Sequence, residues 1–277
     1  MKHFIIVRGG GDLASGTIFK LSRCGYPVLV LEAEHPTSIR RQVSFSEAIY
    51  EGEAVVEGIR AVCAHDFQEA EALVRAGQLT VMKDPKGEAI EALRPDILID
   101  AILAKRNCGT TKDMAPLTIG LGPGFSAGED VDVVVETKRG HDLGRLIYQG
   151  CPKADTGVPG NIGGFSKERV IYAPAGGKIR HISRIGKIVT AGEDIALIET
   201  DGGMQVPVKA SISGILRGLI RNWYPVKAGL KIADIDPRIG ELNNCFTISD
   251  KARCIAGGVL EAVLRWELQN ADRRNTF

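Results

Sequence analysis

Phe4-Ile5-Ile6-Val7-Arg8-Gly9-Gly10-Gly11-Asp12-Leu13-Ala14-Ser15-Gly16 decides the reading of the fold. A short apolar run ends in clustered glycines, and a helical pattern follows through Ala14, Ile18 and Leu21 to Cys24-Gly25. A second apolar run, Val28-Leu29-Val30-Leu31, stops at Glu32. Strand, tight turn, helix and strand in that order predict the opening of a doubly wound α/β domain. A backbone without Cβ turns sharply and brings its N–H groups, with a helix N-terminus behind them, up to an anionic group.

The turn is Rossmann-like, but Gly9-x-Gly11 followed by Gly16 departs from the dinucleotide fingerprint, whose third glycine comes two residues sooner. Glu32 closes the second strand, where a carboxylate takes the ribose hydroxyls of an adenine nucleotide. Two readings follow. Gly9, Gly10, Gly11, Asp12, Gly16 and Glu32 hold a nucleotide or other phosphate-bearing ligand, or the glycines only pack helix on strand and Glu32 is a solvated strand end.

Composition narrows the classes. The 277 residues suffice for one large or two modest domains, and a formal charge of +1 leaves no nucleic-acid footprint. Arg8-Gly9 interrupts the first apolar run before it reaches signal length, and no segment approaches the ~20 apolar residues of a membrane span. The cytoplasm is therefore expected. Cys24, Cys63, Cys108, Cys151, Cys245 and Cys254 are scattered without a C-x-x-C pair. Most of them are predicted to be small core residues in a reducing compartment, with no metal site.

Further along, His35-Pro36-Thr37-Ser38-Ile39-Arg40-Arg41 carries two adjacent guanidinium groups. They hold a phosphate or edge a solvated loop. Residues 53–62 read as a strand, 66–76 as an amphipathic helix, 79–82 as a strand and 88–93 as a helix. Three apolar runs, at 97–102, 116–121 and 131–137, then deliver polar or glycine-rich loops in succession. If their ends share an edge, Lys105, Asn107, Gly122, Gly124, Arg139 and His141 line a cationic cleft with the first glycine turn. His141 shuttles a proton there or is merely solvated. Lys105 and Arg106 beside Cys108 would raise its thiolate fraction, so Cys108 is either reactive or inert.

Residues 156–164, rich in glycine, read as a linker or a ligand-facing loop. From Ala173 the chain repeats itself: residues 173–199 align without gaps on 210–236, with Gly177 on Gly214, Arg180 on Arg217, and Ile198 on Ile235. Two copies of a β unit that cannot bury its apolar face alone should pair face to face. The segment resembles the biotinyl/lipoyl-type barrel-sandwich, but Gly202 stands where a carrier lysine would follow Glu199-Thr200-Asp201. An unmodified lid or docking domain is the expectation. The tail from Ile248 reads as a helix capped by Ser249 or Asp250.

Taken together, GLGPGF (120–125), ETKRGHDLGR (136–145), TGVPGNIGG (156–164) and ISDKA (248–252) resemble the YqeB-type accessory proteins of selenium-dependent molybdenum hydroxylase systems. The N-terminal part is similar to the Rossmann-like domain of XdhC-type molybdenum-cofactor chaperones. Residues and resemblance together give a Rossmann-like α/β domain at 1–155 and a glycine-rich linker or loop at 156–172. An unmodified lipoyl-like barrel-sandwich at 173–240 and a C-terminal helix at 241–277 packing on the body complete the expected order. The resemblance implies a cytoplasmic maturation factor that binds molybdenum cofactor or a nucleotide and assists selenium or sulfur insertion; from the residues, and not from the matching motifs, Cys108 would be a relay and His141 a proton carrier. Its partners would be a molybdenum hydroxylase apoprotein and further copies of itself, with no nucleic acid and no membrane. The residues leave two other functions open: an NAD(P)-dependent oxidoreductase of a small anionic metabolite, and a non-catalytic docking scaffold. Whether the chain is an enzyme is left open.

Overall fold

The computed structural model describes residues 2–157 and 160–274. Met1, Val158, Pro159 and residues 275–277, which the expected segments include, lie outside the described residues. The chain divides into two units. One is built from Met1–Pro36, Ser44–Asp155 and Ile248–Phe277, the other from Thr37–Val43 and Thr156–Thr247.

In the first unit, β1 (Ile5–Arg8) leads through α1 (Asp12–Arg23) into β2 (Val28–Glu32). There follow α2 (Ala48–Glu51), the hairpin of β3 (Glu53–Val56) and β4 (Ile59–Ala64), α3 (Phe67–Arg75), β5 (Leu79–Lys83) and α4 (Glu88–Leu93). Then come β6 (Ile97–Asp100), β7 (Leu117–Leu121), β8 (Val133–Val135), β9 (Leu146–Ile147) and, at the end of the chain, α5 (Asp250–Arg274). The strands form one sheet in the order β3-β4-β5-β2-β1-β6-β7-β8-β9. From β4 to β8 the neighbours run parallel, while β3 and β9 are antiparallel at the edges.

Strands covered on both faces need unbroken apolar runs, and Ile5, Ile6, Val7, Ile97, Leu98 and Ile99 are all fully buried. On one face Ile6, Leu29, Met82 and Leu98 pack with Ala70 and Val74 of α3 and with Ala89 and Ile90 of α4. Elsewhere α5 lies along α1, β7 and β8. A Cβ on Gly16 would come within 2.7 Å of Ala252 O, so the α1–α5 approach requires that glycine.

The expected Rossmann-like doubly wound sheet is corrected here. A doubly wound sheet places a helix after each parallel strand. Between β6 and β7 there is only a 3-10 turn, Lys112–Met114, and between β7 and β8 no helix at all. Gly109, Gly120, Gly122, Pro123, Gly124 and Gly128 interrupt any 3.6-residue pattern across this stretch. With its antiparallel edges, the result is a nine-stranded mixed sheet.

The second unit holds β10 (Val170–Tyr172), β11 (Gly177–His181), β12 (Ile188–Val189), β13 (Asp194–Glu199), β14 (Gln205–Lys209), β15 (Gly214–Leu219), β16 (Pro225–Val226) and β17 (Lys231–Asp236). They make two antiparallel sheets, β10-β17-β15-β12 and β14-β13-β11-β16. The sequence repeat is a structural one with its middle strands exchanged. β12 of the first copy pairs with β15 of the second, and β16 with β11. Equivalent glycines, Gly177 (φ 147°) and Gly214 (φ 156°), sit where a Cβ would strike Glu199 O and Asp236 O. Ile179, Ile195, Ile198, Leu216, Ile232 and Ile235 fill the shared core.

The expected lipoyl-like barrel-sandwich is corrected as well. The two sheets share no strand among the described residues, and β10 and β14, from outside the repeat, extend each to four. No helix among the described residues is long and apolar enough to cross a membrane.

Candidate ligand site at the carboxyl edge

Because β1, β6, β7 and β8 run parallel, their loops emerge on one edge of the first unit's sheet. The chain leaves β1 toward β2 on one side and crosses from β5 to β6 on the other, so the switch of direction lies between β1 and β6. Ligands of such sheets bind outside the carboxyl ends at that point. Close contacts at glycines stitch the loops into a rim. A Cβ on Gly9 would lie 2.9 Å from Ala101 O, one on Gly124 2.6 Å from Arg106 N, and one on Gly122 would strike Thr137 Oγ1. The loops after β1, β6, β7 and β8 thus touch in sequence around the edge.

Within the first turn, Gly9 N–H donates to Leu31 O (2.7 Å) and Gly10 N–H to Glu32 Oε1 (2.7 Å). Glu32 Oε2 accepts from Ala33 N–H (2.8 Å). Burial raises the Glu32 carboxyl above its ordinary range, and the two N–H donors hold it partly down. Glu32 therefore closes the turn with both oxygens. Gly10 O accepts from Ser46 N–H (2.9 Å) and the Ser15 hydroxyl (3.1 Å), and a Cβ on Gly10 would lie 3.0 Å from Ser46 N. Gly9, Gly10 and Gly16 are thus small because protein packs on them. Gly11 is the N-cap of α1, with no side chain capping the helix, and Asp12 is its first residue.

Sequence reasoning missed the network at the switch point. Arg8 ends β1 and Asp100 ends β6; both are buried, with Arg8 Nη1 3.3 Å from Asp100 Oδ2. Arg8 Nη1 also donates to Thr110 Oγ1 (2.6 Å), whose hydroxyl donates to Asp100 Oδ2 (2.6 Å). Arg8 Nη2 donates to Cys108 O (3.3 Å), which ties the β6–β7 loop down. The signal in the sequence was a charged residue closing each apolar run, Arg8 after Val7 and Asp100 after Ile99, which the strand register then sets side by side. In the same loop Asn107 donates to Thr110 O (2.7 Å) and accepts from the N–H groups of Gly109 and Thr110. Asn107 thus uses both ends of its amide to shape the loop. Leu103 (φ 60°) and Lys105 (φ 62°) hold left-handed conformations that cost non-glycine residues energy.

The predicted cations are met by acids. Lys105 Nζ lies 2.6 Å from Asp155 Oδ2, and Arg139 grips Asp250 with two bonds of 2.7 and 3.0 Å. Asp250 is the first residue of α5, and Lys251 follows it, half-buried. Burial holds the Lys251 ammonium below its ordinary range; Arg139 adds to this, while Asp12, Asp155 and Glu136 oppose it. Those neighbours place Lys251 beside both the first glycine turn and the β8–β9 loop. Glu136, itself buried, accepts from the N–H groups of Lys138 (2.7 Å) and Lys153 (2.8 Å).

Cys108 is exposed, its Sγ 3.8 Å from Arg106 O, and His141 is exposed on the β8–β9 loop. No hydrogen bond joins them among the described residues. Arg40 lies in the second unit, buried, its Nη2 donating to Asn244 O (2.8 Å) and Thr247 O (3.1 Å). It serves carbonyls of its own unit. The expectation of core cysteines fails for Cys108, Cys151 and Cys254, which are exposed; Cys245 is buried. No group of three or more His, Cys, Asp or Glu among the described residues is placed to hold a metal ion.

No family model matches the chain. Among solved structures, similarities are weak. The apo ectoine utilization protein EutE (DoeB) of Ruegeria pomeroyi is 10% identical with a TM-score of 0.27, covering 84% of this chain and 86% of that one. A succinylglutamate desuccinylase of Silicibacter sp. TM1040 is 13% identical (TM-score 0.27, 84% of each chain). An aspartoacylase family protein of Mesorhizobium loti is 11% identical (TM-score 0.28, 84% and 85%). At such TM-scores the likeness carries no argument. Sequence similarity is stronger: "Uncharacterized protein YqeB" of Escherichia coli (strain K12) is 47% identical over 262 residues, 95% of this chain and 47% of that protein. None of these descriptions names molybdenum, selenium or a hydroxylase. The chain spans about half the length of the curated relative it matches, and the similarity runs along 95% of its own length.

Proposed function

We propose that the first unit binds a phosphate-bearing small molecule on the carboxyl edge between β1 and β6, and that the chain is an accessory protein that holds this molecule for a partner enzyme. The observation that carries the binding is the rim itself. Loops from four parallel strands meet at the switch of strand direction, under a buried Arg8–Asp100–Thr110 network and beside the half-buried cation of Lys251. The accessory role rests on the family resemblance of the sequence motifs alone, which implies a molybdenum hydroxylase as the client. Of a molybdenum cofactor or a nucleotide, the part these residues fit is the phosphate. Lys251 would meet it, and the α1 N-terminus beside Asp12 adds a favourable field for an anion. When bound, such a group brings the chemistry of its own ring, and the chain's residues bind and orient it.

Two observations narrow the alternatives. Both oxygens of Glu32 are taken by backbone N–H groups, which argues against a ribose-clamping, NAD(P)-dependent oxidoreductase. Cys108 has neither a cysteine nor His141 bonded to it among the described residues, so no sulfur or selenium relay is assigned to it. Native mass spectrometry of the protein isolated from its own cells tests the binding. A retained phosphate-bearing molecule, exchangeable for added ADP, is expected. Protein of bare chain mass that takes up neither ADP nor pyrophosphate would contradict it.

A further inference from the structure

We propose that Lys251 is the residue that receives the ligand's anionic group, and that Arg139 and Lys105 hold the rim in shape. This deepens the binding reading above and rests on it.

The difference lies in how the cations are used. Lys105 is committed to Asp155 and Arg139 to Asp250, the latter through both guanidinium nitrogens. Lys251 makes no hydrogen bond or ion pair among the described residues, although it is half-buried. An ammonium taken partly out of water without a partner weakens the fold. Its place in the helix adds to the cost. Ser249 Oγ accepts from Ala252 N–H (3.2 Å), so Ser249 caps α5 and Lys251 lies in the first turn, where the helix dipole disfavours a cation. Neither burial nor helix position rewards a lysine there for stability.

The backbone around it is nonetheless held firmly. Ala252, the next residue, packs against Gly16 of α1, and a Cβ on Gly258, two turns on, would strike Gly144 O of the β8–β9 loop. Lys251 is thus fixed between the glycine turn and the loop that carries Arg139. Asp12, Glu136 and Asp155 face it from three other segments without reaching ion-pair distance, and Arg139 faces it as a like charge. Departures from local rules without compensation mark functional positions. The chemistry suited to this one is a phosphate or diphosphate group entering from the solvent side of the rim.

Titration calorimetry of the intact chain with pyrophosphate and with ADP tests this in K251M and K251R. Binding by the native chain, at least tenfold weaker in K251M and restored to within threefold in K251R, is the expected result. The thermal midpoint of K251M should be equal to or above the native value, which a structural role for the lysine would not give. Native binding that survives in K251M within threefold overturns the assignment and leaves the binding reading standing. No native binding of either probe overturns both. Acetic anhydride labelling read by mass spectrometry gives a variant-free check. Saturating pyrophosphate should slow acetylation of Lys251 at least fivefold, and an unchanged rate in a chain that binds pyrophosphate overturns the assignment.

Discussion

Arg8 shows how much of the first unit hangs on single buried groups. It and Asp100 are 5% and 1% exposed, so removing one partner leaves the other charge in the interior. Arg8→Met should therefore cost roughly 3–5 kcal/mol of stability. Urea unfolding of R8M and of R8M combined with D100L checks this; the double variant should recover most of the loss, and equal loss in both would contradict the pairing. In the second unit, His181 Nε2 lies 2.7 Å from Ile220 O. Burial holds its imidazole below the ordinary value, the carbonyl pulls it up and Arg41 pushes it further down. The unfolded chain then takes up a proton near the ordinary pKa of about 6.5, before the folded one does. Stability that is full above that pH is lost as the pH falls toward the folded value. Thermal midpoints between pH 7.5 and 5.5 should fall less in H181N than in the native chain. At this scale little was legible. Lys251 stands in a quoted motif, but Asp12, Glu136, Arg139 and Asp155 come to it from segments far apart in sequence, and no local pattern announces that. Glu32 was recognisable as a strand end, yet its two N–H donors are visible only once the turn is folded.

Among the elements, the α1–α5 contact governs the first unit's helical layer. Gly16→Ala forces a methyl against Ala252 and should cost about 1–3 kcal/mol, as overpacking generally does. A denaturant midpoint unchanged in G16A would show that the helices can move apart. Periodicity and turn residues revealed most strands and helices. The alternation of strand with helix could be followed only as far as β6. Beyond it the glycines of residues 109–128 reduce the crossovers to turns, and α5, distant in sequence, lies along β7 and β8. In the second unit the repeat was plain in the sequence. The addition of β10 and β14 was not, because edge strands of three to five residues carry too few alternating positions to be distinguished from loops.

For the whole molecule, the order of segments has a consequence. The first unit is completed only by α5, which follows the entire second unit in the chain. A chain ending at Thr247 uncovers Gly16 and Phe19 of α1 and the parts of β7 and β8 that α5 lies along, so it should lose the cooperative thermal transition of the first unit, followed by near-ultraviolet circular dichroism. An unchanged transition would mean that α5 is dispensable. The similarity to YqeB covers almost all of this chain and about half of that protein, so both units lie within the shared half. The measurement that tests the central claim most directly is hydrogen exchange of the intact chain with and without saturating pyrophosphate. Slowed exchange at residues 9–13, 101–111 and 250–254 is predicted. Binding without protection there, or with protection confined to the second unit, would contradict a site on the carboxyl edge.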